Sequence, residues 1–231
     1  MSLTLKKSKS IGLVSLFVMS LFVAMVSTTP AVGAVNDTSS GTITGTETWT
    51  GVMNLDGDLL VAGGAKLIIN AGTTINIPAN RNIQIQGSIC AGDAFCGATQ
   101  ASTGSPIRFI WSEPGAAAPN QTGRCYVTGV FNPDMACGSG IYLASTIDQS
   151  LTRMNHVTID GAYGIPVDID GQGTIKYGAM VFDGASLSVS NPSFRDVNTS
   201  NVLAFGGALP TFDGGTFEVG VDAQGYRGPA I

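Results

Sequence analysis

Residues 57 to 77 read GDLLVAGGAKLIINAGTTINI. Leu59 and Val61, then Leu67 and Ile69, then Ile75 and Ile77 alternate with other residues, and glycines at 63, 64 and 72 break the runs. A period of two over short runs bounded by turn residues is the mark of a half-buried strand, whereas a helix needs apolar residues at a period of 3.6. Three strands with three sharp turns make one coil. Each glycine falls at a corner, where the backbone often needs a positive φ. DLLVA, KLIIN and TTINI are the three sides of this coil, and NIQIQG from Asn82 begins the next.

The pattern recurs. Leu59/Val61, Ile83/Ile85 and Ile107/Phe109 are spaced by 24 residues, and Val157/Ile159, Met180/Phe182 and Leu203/Phe205 by 23. The segments HVTIDGA, AMVFDGA and VLAFGGA align without gaps, as do SVSNPSFRDV from Ser188 and TFDGGTFEVG from Thr211. A constant period of this length is the signature of a solenoid, in which each strand pairs in parallel with its counterpart one coil away. The reading is all-β: a single-stranded parallel β-helix with three strands per coil of 23–24 residues. Rows of Leu, Ile and Val fill the inside, each fully buried side chain contributing about 1.5–3 kcal/mol. Rows of Asn, Thr, Ser and Gln line the outside.

On these residues the chain resembles a known group. TWTGVMNLDGDLLVAGGAKLIINAGTTINI is similar to the opening coils of right-handed parallel β-helix proteins of the pectin-lyase-like superfamily, and GSGIYLASTIDQSLTRMNHVTIDGA to their middle coils. The resemblance, with the usual right-handed crossover preference, implies a right-handed coil. It covers about residues 47 to 220 and is one of architecture, which does not by itself carry function. The motifs of polygalacturonase-like hydrolases and of pectate lyases are absent, so no catalytic residue is carried over.

The N-terminus reads as a leader. Lys6, Lys7 and Lys9 precede an apolar run of 16 residues, Ile11 to Val26, and Val32 and Ala34 stand at the −3 and −1 positions of a cleavage site. That is the form of a secretory signal peptide, and the run is short for a membrane span. The expected organisation is a signal peptide at 1–34, a flexible linker at 35–46 and the β-helix at 47–231. Cleavage removes three lysines and no carboxylate, taking the net charge from −5 to −8. An acidic chain of this kind is not expected to bind nucleic acid or anionic lipid, and no later segment is long and apolar enough to span a bilayer.

The chain has four cysteines. Cys90, Cys96, Cys125 and Cys137 allow three disulfide pairings, and proximity favours Cys90 with Cys96 and Cys125 with Cys137. All four fall between residues 90 and 140, where the repeat is interrupted. This stretch reads as coils carrying long stapled loops, the usual place for binding on a rigid scaffold.

The 23-residue register stacks Asp160 on Asp183, followed by Gly206, and Arg153 on Lys176, followed by Thr199. These four charged residues are candidate ligand or calcium contacts, although Asp-Gly at a corner is also ordinary turn chemistry. Asp168 and Asp170 in VDIDGQG, like Asp56 and Asp58 in NLDGD, resemble fragments of calcium loops that lack the bidentate Glu. His156, the only histidine, stacks with Ala179 and Val202 as a wall residue. Arg195 and Glu218 should form an opposite-charge pair. Trp49 and Trp111 are expected in packing rather than on sugars. Asn36, Asn120 and Asn198 head N-x-S/T sequons and are candidate glycosylation sites.

The function expected is that of a secreted or cell-surface module with a structural, adhesive or glycan-binding role, no catalysis of its own and no cofactor beyond a candidate Ca²⁺. Its partner would be an extracellular polysaccharide or another surface protein. The alternative is a polysaccharide lyase or glycoside hydrolase acting on an acidic polysaccharide. The ending GYRGPAI carries no recognisable cap, which predicts end-to-end association or a missing C-terminal portion.

Overall fold

The computed structural model describes residues 37–38, 40–112, 126–127, 130–131, 138–169, 175–197 and 199–218. They form a right-handed parallel β-helix whose coils visit three walls in a fixed order. Wall one holds Gly41–Ile43, Leu59–Val61, Asn82–Ile85, Gly140–Leu143, Ile175–Asp183 and Ser200–Phe205. Wall two holds Thr46–Trp49, Lys66–Ile69, Ser88–Ala91, Arg153–Asn155, Ser188–Ser190 and Thr211–Asp213. Wall three holds Val52–Asn54, Thr74–Ile77, Ile107–Trp111, Val157–Asp160, Ser193–Arg195 and Thr216–Phe217, with Asp37–Thr38 added at its start.

Residues 57–85 fold as their pattern dictates. Leu59–Val61, Lys66–Ile69 and Thr74–Ile77 are the three sides of one coil, and Asn82–Ile85 pairs above Leu59–Val61. Leu59, Val61, Leu67, Ile69, Ile75 and Ile77 are buried, and the residues between them are only partly so. Gly64 and Gly72 turn the corners at φ 80° and 75°, a region that costs residues with a Cβ about 1–2 kcal/mol. Strand pairing begins inside the segment read as a linker: Gly41–Ile43 lies on Leu59–Val61, and Asp37–Thr38 on Val52–Asn54. The leader at 1–34 lies outside the described residues.

The core is a column of stacked apolar rows. On wall three Met53, Ile75, Phe109, Ile159, Phe194 and Phe217 lie in register. The Phe194 and Phe217 rings are stacked with centroids 5.2 Å apart, and Phe212 meets Phe217 edge-on at 5.6 Å. Aromatic pairs of this kind add about 0.5–1.5 kcal/mol beyond their burial. Trp49 and Trp111 both pack in this core, and the Trp111 indole Nε1 donates to the Arg81 carbonyl at 2.7 Å.

Two expectations of register are corrected. Ile107 and Phe109 keep the 24-residue spacing but belong to wall three, where they lie over the Thr74–Ile77 strand; the residue above Ile83 is Ile141. The 23-residue series fails likewise. Val157 pairs with Ile107 on wall three, whereas Met180 pairs with Ile141 and Val202 on wall one, and Leu203 lies opposite Val181. The cause is an inserted hairpin. Ile165–Asp168 runs antiparallel to the first half of Ile175–Asp183, adding a flap to wall one between consecutive coils. By contrast, Ser188 over Thr211, Val189 over Phe212 and Phe194 over Phe217 hold as expected.

Candidate functional site

A wall can meet a partner only where its outer face is open. On wall one Gln84, Tyr142 and Val181 form one outward column and are fully buried. Tyr142 and Val181 pack with Ala144, Ile165 and Val167, the last two from the flap. The outer face of wall one is therefore a second small core.

The middle of wall two carries a stapled turn. Cys90 and Cys96 are disulfide-bonded, as proximity suggested, closing a short 3₁₀ turn at Ala94–Cys96. Asp93 caps this turn by accepting from the Phe95 N–H, and the Lys66 ammonium donates to the Cys96 carbonyl at 2.7 Å. Cys125 and Cys137 lie outside the described residues.

Among the described residues, the outer face of wall three is polar and in part exposed. Its outer rows follow from the pairing. One is Val52, Thr74, Arg108, Thr158, Ser193 and Thr216. The other is Asn54, Asn76, Ile110, Asp160 and Arg195, with the Glu218 N–H donating to the Phe194 carbonyl at 3.3 Å one coil further on. Asn76 donates its amide to Asn54 at 2.9 Å, so the first rungs are closed by their own ladder. Beyond them the wall carries a groove of about 400 Å³. Arg108, Thr158, Ser193 and Thr216 supply one row of its lining, and Arg195 flanks them. His156 and Asn191 close the wall-two side.

That side is a corner of single left-handed residues. His156 and Asn191 have φ 49° and 50°, and Gly214, which follows the paired residue Asp213, has φ 72°. Asn and His enter this region more readily than most residues with a Cβ. The His156 N–H donates to the Ser190 carbonyl at 2.9 Å, and the His156 carbonyl accepts from Ile107 at 3.0 Å. Its Nδ1 lies 2.9 Å from Asn155 Oδ1. The histidine is thus a corner residue whose ring faces the groove, in a column with Asn191 rather than with Ala179 and Val202.

Two guanidinium groups line the groove, and an acid is the strand neighbour of one of them. Arg108 and Arg195 are both exposed, in a chain whose net charge is −5. Asp160 lies between Ile110 and Arg195 in register. Burial pushes its carboxyl above the ordinary value. Asp196 and Glu218 push the same way, and Arg195 and Arg108 pull it back.

The other sequence-derived candidates do not gather here. Asp183 sits on wall one opposite Phe205, accepting a 2.6 Å hydrogen bond from the Tyr142 hydroxyl, so it does not stack on Asp160. Arg153 lies over Cys90 on wall two, its guanidinium 5.7 Å from the Phe95 ring centroid and donating to the Gln149 and Thr152 carbonyls. Lys176 is exposed on the flap opposite Val167, and Asp168 is buried there opposite Ile175. Asp58 accepts from the Asn82 N–H at 2.9 Å and pairs with Arg81 at 3.4 Å, bracing the start of the next coil. Arg195 and Glu218 hold their backbone register without closing an ion pair. Among the described residues no three His, Cys, Asp or Glu side chains gather as a metal-binding group. Asp170, Asn36, Asn120 and Asn198 lie outside the described residues.

Sequence reasoning missed Arg108 and Arg195 as a pair. For Arg195 the signal was present in the alignment of RMNHVTID with SVSNPSFR and TFDGGTFE, offset by 35 and then 23 residues, whereas Arg108 lies 50 residues before its partner Thr158, outside any constant period. No family model matches the chain, and neither the curated proteins nor the solved structures contain a match to it.

Proposed function

We propose that this chain is an exported, non-catalytic glycan-binding module on a pectin-lyase-like scaffold, which holds an anionic polymer along wall three. One observation carries the reading: two guanidinium groups and an imidazole line a single groove with four hydroxyl side chains, on wall three. Guanidinium groups suit carboxylate and sulfate esters because their planar fork of donors matches two oxygens at once. Thr158, Ser193 and Thr216 supply donors and acceptors for sugar hydroxyls. A solenoid repeats its wall every coil, at about 4.8 Å per strand, and so suits a ligand that also repeats. Export rests on the lysines, apolar run and small residues of the first 34 positions.

The test is binding of short uronate and sulfated oligosaccharides, with neutral oligosaccharides as the comparison. Replacing Arg108 and Arg195 together by Ala should weaken anionic binding by about tenfold or more, the size expected for losing charged hydrogen bonds. Equal affinity for neutral and anionic glycans, or no loss in the double variant, contradicts the reading.

The alternative, a polysaccharide-cleaving enzyme, draws on Asp160, because a carboxyl held above its ordinary value is the form a general acid takes. It requires release of new reducing ends or of unsaturated sugar from an acidic polysaccharide, with loss of that release in Asp160→Asn.

A further inference from the structure

We propose that Asp160 is an acid-operated gate on the wall-three groove: ionised, it holds down the affinity for an anionic ligand, and proton uptake raises it. The inference rests on the anion-binding reading of the groove and adds a regulation to it.

The geometry comes from the strand register. Asp160 is the direct cross-coil neighbour of Arg195, and Arg108 lies on the same outer face of the strand on its other side. A carboxylate there offsets the positive field that an anion would meet. The charged groups acting on it are Arg108 from the Ile107–Trp111 strand, Arg195 and Asp196 from the next coil, and Glu218 from the last. His156 lines the same groove. The two arginines attract the ionised form of Asp160, and the two acids repel it. Burial and the two neighbouring acids keep its carboxyl above the ordinary value, so it takes up its proton earlier than a free aspartate as pH falls.

The direction of the effect follows. Protonation removes one negative charge beside two guanidinium groups, so anion affinity rises as pH falls through the carboxyl's titration. By linkage, binding an anion makes protonation of Asp160 more favourable, and the complex takes up protons from solution.

The experiment is titration calorimetry of the intact protein with a short dextran sulfate, whose sulfate esters stay ionised throughout, at pH 7 and pH 4.5 and moderate salt. The wild type should bind about threefold to fivefold tighter at pH 4.5, as suits a screened charge interaction at a partly exposed site. Asp160→Asn should reach that affinity at pH 7 and lose most of the pH dependence. Near the carboxyl's titration, wild type should also take up protons on binding, read from the dependence of heat on buffer ionisation, and Asp160→Asn should not. Binding that needs Arg108 and Arg195 but is flat with pH overturns the gate and leaves the groove reading intact. A full pH dependence in Asp160→Asn also overturns the gate. No binding at either pH, or binding indifferent to both arginines, overturns the groove reading and the gate together.

Discussion

At the residue scale the coil is held closed by positions where no side chain fits. A Cβ on Gly87 would stand 2.2 Å from the Ala65 carbonyl and 2.4 Å from the Ala62 carbonyl, both backbone atoms of the coil beneath. Backbone cannot step aside as the end of a side chain can. Gly87→Ala should therefore lower unfolding stability by at least about 2 kcal/mol, as overpacking does in a closed site. Gly63 has open space around its Cβ position, and Gly63→Ala should change stability by less than about 1 kcal/mol. Chemical denaturation of the two variants checks the contrast, and equal losses would mean that the coils do not approach as described. The same scale explains His156. A lone histidine in an apolar repeat reads as a wall residue, yet its backbone angle of φ 49° makes it a corner. Side-chain alternation carries no information about that angle, so the sequence pattern alone did not place it.

At the scale of elements, the disulfide at Cys90 and Cys96 closes a loop with a sequence separation of six. Chain-entropy arguments give a loop of this length about 2 kcal/mol. Replacing both cysteines by Ser should cost about that much, with the loss read from a thermal melt, and should free Phe95, now 82% exposed under the Arg153 guanidinium. No change in stability would mean that the turn is held by Asp93 and Lys66 alone. The strands themselves were legible. Residues 57 to 85 show their four sides in the alternation of Leu, Ile and Val, because each run must bury one face and expose the other. Which wall a strand joins was much less legible. All three walls carry the same alternating chemistry, so a spacing of 23 residues matched Val157 to Met180 although they belong to different walls. The flap at Ile165–Asp168 adds residues between coils and reads as one more strand. The loop between Ala91 and Ile107 lengthens a corner in the same way. Where no insertion intervenes, from Leu59 to Ile85 and from Ser188 to Phe217, the period reported true vertical neighbours.

At the scale of the whole solenoid, function depends on which face the coils leave open. Wall one covers its own outer side with Tyr142, Val181 and the flap, and wall two carries the stapled turn. Wall three stacks Arg108, Thr158, Ser193 and Thr216 in one outer row, in which Arg108 and Thr216 are exposed, Ser193 is half-buried and Thr158 is buried. Asp160, Asp183, Arg153 and Lys176 scattered because they were derived from the wrong register. The groove follows once Asp160 is placed beside Arg195 instead of Asp183. That placement is the claim on which the binding site and its gate both depend. Paired nitroxide labels and continuous-wave spin resonance test it most directly, since strands that are neighbours in a sheet lie about 4.8 Å apart. Labels at positions 160 and 195 should show strong dipolar broadening, and labels at 160 and 183 should show little. Broadening between 160 and 183, with none between 160 and 195, would contradict the account.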